Sequence, residues 1–261
     1  MNTGLQRNCI DKYYTKPDIS IKCVKTFKRV VQPKKTDVII EPSAGGGVFI
    51  EPLKSVENKT YFYDIEPEHN EVIKQDFLLF TWTGSQQAHV IGNPPFGRQA
   101  SLAIKFIKKS AEFAVSISFI LPKSFKKESM QKHFPLNFHL VHQEDLPDTS
   151  FLVEGKEHNV PCVFQIWMKK KEQRSIPTKL EPTGFRFVKK SENPNIAIRR
   201  VGVYAGKVFE ETQDKSEQSH YFITLDDIED IQKFKDIKYD HNNTVGPKSI
   251  SKQEIISKSR I

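Results

Sequence analysis

The sequence has no long apolar run. No stretch approaches the ~20 consecutive apolar residues that a membrane-spanning helix needs. The longest, residues 115–121, is broken by Ser116 and Ser118 and reads as a buried strand, so no membrane partner is expected. The opening MNTGLQRNCI has no apolar signal-peptide core, which points to an intracellular place, in cytoplasm or nucleus. Cysteine is scarce: Cys9, Cys23 and Cys162 have neither metal-ligand spacing nor the pattern of a disulfide framework, and free or buried thiols in a reducing compartment are expected. The eight histidines form no HxxxH or HExxH pattern, which argues against a metal site. Ser43 stands outside any GxSxG setting, so nothing supports a hydrolase triad. The glycines form neither GxxxxGK[ST] nor GxGxxG, which argues against a nucleoside triphosphate and against NAD.

The 261 residues are 37% hydrophobic and 28% charged, enough for one substantial core or a catalytic domain with a small appendage. The net charge is +8, and its location is more informative than its size. Residues 169–207 hold eleven Lys/Arg against three Glu, an excess of eight, so the rest of the chain sums to zero. A basic excess confined to one segment is the usual footprint of a polyanion partner, although a solvated basic surface explains such an excess equally well when taken alone.

From residue 37 to about 170, short apolar runs alternate with amphipathic or Gly/Pro-bounded stretches. DVIIEP, TYFYDI, VIKQDF, AHVIGNPPF and SISFILP read as successive strands, GGVFIEPLKSV and RQASLAIKFIKKSAEFA as helices, and FHLVHQED and VPCVFQIWMK as two late strands. This alternation predicts an α/β fold with a mostly parallel sheet covered on both faces. Ligands then bind beyond the carboxyl ends of the strands, near the switch in strand order. After about residue 170 the texture changes: IPTKLEPTG reads as a loop, and FRFVKK and NIAIRRVGVYAGKVF read as strands with turns. A smaller basic unit is expected there, with the polar tail KYDHNNTVGPKSISKQEIISKSRI partly disordered at its end.

Three motifs fall on the expected ligand-binding loops. EPSAGGGVF, residues 41–49, follows the first strand, and its glycines allow a tight turn and close backbone approach to a ligand. YFYDIEP ends the second strand with Asp64, nineteen residues after Gly45, where a carboxylate can accept both hydroxyls of a ribose. NPPF, residues 93–96, ends the fourth. Pro94 and Pro95 have no N–H to give. Asn93 brings a carboxamide oxygen that accepts from an amino group, and Phe96 brings a flat apolar face. Together they form a receptor for a planar base with an exocyclic NH2, while a random Asn-Pro-Pro-Phe would more often be a rigid turn over a buried ring.

In order and spacing, EPSAGGG, YDIEP, QDF at 75–77 and NPPF resemble the cofactor and catalytic motifs of class I amino-methyltransferases of nucleic acids. DKYYTKPDISIKC, residues 11–23, is similar to their N-terminal cofactor motif, with Lys16 inserted between Thr15 and Pro17. The motif order looks like the gamma arrangement of adenine-N6 DNA methyltransferases, whose recognition part follows the catalytic part. The resemblance implies a Rossmann-like class I methyltransferase sheet in residues 1–170, with S-adenosyl-L-methionine as cofactor. It makes residues 171–261 a small basic C-terminal extension for substrate recognition. Nothing in the sequence points to an oligomeric state.

By the same resemblance Thr15 would help hold the methionine carboxylate, and Glu41 and Gly45 would line the methionine part. Asp64 would take the ribose hydroxyls, with Glu66 as the fallback, and Asp76 and Phe77 would contact the adenine. Tyr14, Pro42, Ser43, Ala44, Gly47, Ile65 and Asn93 would lie along the cofactor. Asn93 and Pro94 would bind the target amino group within the turn that Pro95 stiffens. Phe96 would stack on the target ring, with Phe151 on its other side, and Lys189, Lys190, Arg199 and Arg200 would meet nucleic acid. The implied substrate is DNA, favoured over RNA. Three other readings stand beside it: an RNA adenine-N6 methyltransferase, a protein glutamine-N5 methyltransferase, and an inactive binding subunit. The glutamine enzymes typically carry Tyr at the last motif position and an accessory domain in front, and this chain has Phe96 and a short lead. An intact NPPF and glycine loop argue against an inactive subunit.

Overall fold

A computed structural model of the chain describes residues 13–153, 155–176, 178–239 and 248–260. Cys9, the first two residues of the N-terminal motif and residues 240–247 of the polar tail lie outside the described residues. The chain divides into two compact units after Ser175.

In the first unit, β1 (Tyr14–Thr15) leads into α1 (Pro17–Val31). Then follow β2 (Val38–Glu41), α2 (Ile50–Lys54), β3 (Lys59–Asp64), β4 (Ile73–Lys74), β5 (Ala88–Gly92), α3 (Ser101–Phe113) and β6 (Ser116–Pro122). After these come α4 (Glu128–Gln131), β7 (Phe138–Asp145), β8 (Phe151–Val153), β9 (Lys156–His158) and β10 (Cys162–Lys169). Seven strands form one sheet in the order β4-β3-β2-β5-β6-β10-β7. The first five are parallel, and β10 runs antiparallel between β6 and β7. This is a doubly wound, Rossmann-like sheet, as the strand–helix alternation predicts.

Alternate side chains of the central strands explain why both faces are covered. Ile39, Ile91 and Ile120 pack with Cys23, Val24 and Phe27 of α1 and Leu53 of α2. Val38, Ile40, Val90, Ile117, Phe119 and Leu121 pack with Ala103, Phe106 and Ile107 of α3. A strand buried on both sides tends to a continuous apolar run, as in VII of β2 and FIL of β6, where Ser116 and Ser118 are the small buried exceptions.

Two local features depart from the sequence reading. The stretch after the glycines is mostly turn, and only Ile50–Lys54 is helical. The α1 helix was not expected, because its residues were read only as a motif. Pro17 and Asp18 suit its first turn, Ile19, Cys23, Val24, Phe27 and Val31 form its buried face, and it ends on Gln32 in the left-handed region.

The boundary expected near residue 170 falls a few residues later because Arg174 is bound into the first unit. Its guanidinium donates to the carbonyls of Phe138 at 2.6 Å and Phe134 at 3.0 Å and lies 5.0 Å from the Trp167 ring centre. Part of the basic excess of residues 169–207 therefore serves the first unit's own packing.

The second unit is a four-stranded antiparallel sheet with two short helices. Its strands are β11 (Phe185–Val188), β12 (Ile196–Arg199), β13 (Val208–Phe209) and β14 (His220–Leu225), in the order β11-β14-β12-β13. Phe234 of α5 (Ile231–Asp236) and Ile255 and Ile256 of α6 (Lys252–Ser259) close one face. Within the tail, where partial disorder was expected at the end, Lys252–Ser259 is helical. Ser251 and Glu254 form a capping box, and the Ile255–Ile256 pair supplies enough burial to dock a short polar helix.

Among the described residues, no helix is long and apolar enough to cross a membrane, and no cluster of His, Cys, Asp and Glu could hold a metal ion.

Candidate active site

The carboxyl ends of β2, β3 and β5 open into one cleft of about 370 Å³. The chain runs outward from β2 to β3 and β4 on one side and to β5 and β6 on the other, so the cleft sits at the switch in strand order. Tyr14, Thr15, Glu41, Pro42, Ser43, Ala44, Gly45, Asp64, Ile65, Asp76, Phe77, Asn93, Pro94, Pro95 and Phe96 all line it.

The glycine turn is laced to the end of β3. Gly45 has φ +50°, and its N–H donates to Asp64 Oδ2 at 2.8 Å. Gly47 is not in the cleft wall. At φ +80°, a Cβ on it would stand 2.6 Å from Ile50 Cδ1, so this glycine lets the turn pack onto α2. The other oxygen of Asp64 accepts the Glu66 N–H at 2.8 Å. Each carboxylate oxygen keeps a further lone pair, so Asp64 braces two loops and can still face hydroxyl groups. Asp64→Ala is expected to weaken binding of an adenosyl ligand about tenfold to a hundredfold, the effect of losing hydrogen bonds to a charged acceptor. Calorimetric titration checks this, and unchanged affinity would move the role to Glu66.

Glu41 is 1% exposed, and its Oε2 has no hydrogen-bond partner. Burial, then the nearby Asp64 charge, pushes its carboxyl well above the ordinary range. A buried carboxyl with an unused oxygen in a cleft wall suits a cation, because the arriving positive charge offsets the cost of ionising it. Asp76 accepts the Leu78 N–H at 2.8 Å and caps a short turn. Phe77, 2% exposed, stacks on Phe106 with centroids 5.3 Å apart, so the core beneath fixes its ring.

At the end of β5 the carboxamide of Asn93 has a defined orientation. Its Nδ2 donates to the Tyr13 carbonyl and to Thr15 Oγ1, both at 3.1 Å, while its buried Oδ1 has no partner. The Ser43 hydroxyl donates to the Asn93 carbonyl at 3.1 Å and ties the two loops together. With Nδ2 engaged and Pro94 and Pro95 lacking N–H groups, the Asn93 carboxamide and the two prolines present acceptors and no free donor. Just beyond it, Gln99 and Ala100 take left-handed backbone conformations (φ +53° and +59°) that non-glycine residues adopt at a cost of about 1–3 kcal/mol each.

Phe151 does not reach the cleft. It is 0% exposed within β8, and the ring next to Phe96 is Tyr13, with centroids 6.3 Å apart and planes 27° apart. Phe151 backs Tyr13 edge-on, because β1 pairs with β8 and brings the N-terminal segment alongside it. Gly46, Glu68, Gln75 and Leu78 also line the cleft without having been expected there. Tyr14 donates its hydroxyl to Glu68 at 2.9 Å. The sequence signal for Tyr13 is the aromatic pair in YYT, whose second member, Tyr14, is the expected cofactor residue.

In the second unit, Lys189 and Arg200 are exposed, and the Arg200 guanidinium lies 5.4 Å from the Tyr221 ring centre. Lys190 donates to the Lys215 carbonyl at 2.9 Å. Arg199 is engaged internally, donating to the Val201 carbonyl at 2.9 Å and the Ser219 hydroxyl at 3.1 Å.

No protein-family model matches this chain, and neither does any curated protein. Solved structures match it in part. A Pyrococcus horikoshii protein provisionally named an RNA methyltransferase aligns at 16% identity and TM-score 0.49, over 64% of this chain and 92% of its own. The methyltransferase subunit of a type I restriction-modification system from Streptococcus thermophilus aligns at 13% identity and TM-score 0.47, over 62% of this chain and 46% of its own. An rRNA methylase from Streptococcus thermophilus aligns at 14% identity and TM-score 0.41, over 59% of this chain and 96% of its own. At these scores the likenesses add nothing to the site, whose chemistry is read from its own geometry.

Proposed function

We propose that this chain transfers a methyl group from S-adenosyl-L-methionine to the N6 amino nitrogen of adenine in nucleic acid, with DNA favoured over RNA. The observation that carries the reading is Asn93: its donor side is spent on the N-terminal segment, and its acceptor oxygen is buried without a partner in a residue that lines the cleft. A buried acceptor with no partner costs about 1–3 kcal/mol, and an exocyclic NH2 would recover that cost.

The residues present fit the cofactor. The unpaired Glu41 oxygen suits the positive charge of its methionine part, the Gly45 turn leaves room for close approach, and Asp64 stands where ribose hydroxyls would lie. Thr15 and Tyr14 close the methionine end, Pro42, Ser43 and Ala44 continue that wall, and Ile65, Asp76 and Phe77 border the adenine. When bound, the cofactor supplies a methyl group already activated as a sulfonium. The protein aligns the acceptor nitrogen for in-line attack. Asn93 Oδ1 and the Pro94 carbonyl accept the two N–H bonds of the amino group, localise its lone pair and stabilise the positive charge that develops on nitrogen. The proton leaves after transfer, so no strong general base is required. Phe96 gives the base a stacking surface that offsets part of the few kcal/mol of extruding it from a duplex, and Tyr13, rather than Phe151, is the ring at hand for its other side.

Incubating the full chain with methyl-labelled cofactor and DNA, RNA or protein tests the reading. Label in nucleic acid supports it, and label on protein glutamine would replace it. In the second unit, Lys189, Lys190 and Arg200 are the residues assigned to phosphate, with Arg199 holding the end of β12 beside Arg200. Replacing those three by Gln should weaken nucleic-acid binding and lower the slope of log K against log salt by about 0.9 per lost duplex contact. An unaltered slope would return them to a solvated surface.

A further inference from the structure

The connection between β12 and β13 is a hairpin whose tip is both apolar and braced. Val203 is 79% and Tyr204 68% exposed, while Ala205 between them and the second strand is buried. Both ends of the loop are held: Gly206 N–H donates to the Arg199 carbonyl at 2.7 Å, and Arg199 N–H to the Lys207 carbonyl at 2.9 Å. The tip itself is closed by Ala205 N–H to the Gly202 carbonyl at 2.9 Å and Lys207 N–H to the Tyr204 carbonyl at 3.0 Å. The segment before α6 ties the base, through Gly202 N–H to the Lys248 carbonyl at 2.8 Å and Ile250 N–H to the Arg200 carbonyl at 3.0 Å.

A loop fixed this firmly holds its aromatic out in water with little entropy left to lose on binding. Its surroundings are cationic. Lys207 Nζ sits 5.7 Å from the Tyr204 ring centre, and the exposed Arg200 and Lys248 flank the base of the hairpin. With Lys207 Nζ over one face of Tyr204 and also 5.2 Å from the Phe209 ring centre, an exposed ring beside an ammonium matches a nucleotide, in which a flat base adjoins a phosphate. The charge argues for a polyanion, and a single protruding ring argues for a base free to stack.

We infer that the Val203–Tyr204 tip is a nucleic-acid contact, in which Tyr204 stacks on an unpaired base and Lys207 meets the neighbouring phosphate. This rests on the nucleic-acid substrate proposed above and names a contact remote in sequence from the methyl-transfer motifs.

The test is fluorescence anisotropy of the full chain with labelled single-stranded DNA, single-stranded RNA and duplex DNA, alongside sedimentation with anionic phosphatidylserine vesicles. Tyr204→Ala should weaken binding of a single strand by roughly tenfold to a hundredfold, and Tyr204→Trp should restore it. Lys207→Gln should lower the salt slope by roughly one contact. Cofactor affinity and melting temperature should hold in all three variants, since the ring is exposed. Unchanged binding by Tyr204→Ala, with the wild-type protein binding and methylating adenine, would overturn this inference and leave the proposed reaction standing. Wild-type protein that binds none of the three oligonucleotides would overturn both. Vesicle binding that is lost in Tyr204→Ala, with oligonucleotide binding unchanged, would make the tip a membrane contact instead.

Discussion

Replacing Asn93 by alanine is expected to cost on the order of 10²–10³ in methyl-transfer rate, the loss that follows removal of one preorganised partner from a developing charge in a water-excluded site. The geometry predicts how that loss divides. Asn93 Oδ1 is the unsatisfied acceptor, while Nδ2 anchors the carboxamide on the Tyr13 carbonyl and Thr15 Oγ1. Alanine removes both functions. Asn93→Asp keeps an acceptor but turns an oxygen toward the Tyr13 carbonyl, which can only accept, so the group should rotate away and the rate should fall nearly as far. Thr15→Val removes one of the two anchors and should cost less, about tenfold, through poorer orientation. Single-turnover kinetics with cofactor affinity measured in parallel separates these effects. If Asn93→Ala transfers methyl at near the wild-type rate, the NPPF turn is structural.

Glu41→Gln should reduce cofactor affinity roughly a hundredfold or more, the range for removing one partner of a buried ion pair. The same substitution should stabilise the unliganded protein at neutral pH. The Glu41 carboxyl titrates well above its ordinary range because it is buried and faces Asp64. Over the window between the ordinary carboxyl value and that raised one, the folded protein holds a proton that the unfolded chain has lost. Stability therefore falls as pH rises through the window. A neutral amide removes that dependence, so the variant should melt higher at neutral pH and with a flatter pH profile. Within that pH window, cofactor binding by the wild-type protein should release a proton, visible as a dependence of binding enthalpy on the buffer. Equal affinity in wild type and variant would show that Glu41 does not meet the cofactor's positive charge. Such a gain of stability at the expense of binding is the usual trade at functional sites.

The sheet was legible from the strands that are buried on both faces. SISFILP coincides with β6, which is buried along its whole length, and at the sheet edge FHLVHQED coincides with β7, whose later residues alternate in exposure with a period of two. Helix α1 was less legible, because its first turns coincide with the PDISIKC end of the N-terminal motif and its buried face runs on past that motif through Val24, Phe27 and Val31. Asn93, Glu41 and Asp64 stand in one cleft as their strand-end positions required. The second aromatic was not legible. Whether Phe151 or Tyr13 borders Phe96 depends on the pairing of β1 with β8, residues more than a hundred positions apart, and local patterning carries no information about that register. Gly47 shows a related limit: three consecutive glycines look alike in sequence, yet Gly45 serves the cleft and Gly47 the packing against Ile50. The basic segment of residues 169–207 misled in part, since Arg174 and Arg199 spend their donors on backbone carbonyls and a serine.

The central claim is that the acceptors of Asn93 and Pro94 at the end of β5 receive the amino group of adenine. Digestion of nucleic acid incubated with the full chain and isotopically labelled S-adenosyl-L-methionine, followed by mass spectrometry of the nucleosides, tests it most directly. The account predicts N6-methyladenine carrying the label, formed on the order of 10²–10³ more slowly when Asn93→Ala replaces the wild-type protein. Label on cytosine, on a ring nitrogen or carbon, or on no nucleoside at all would contradict it.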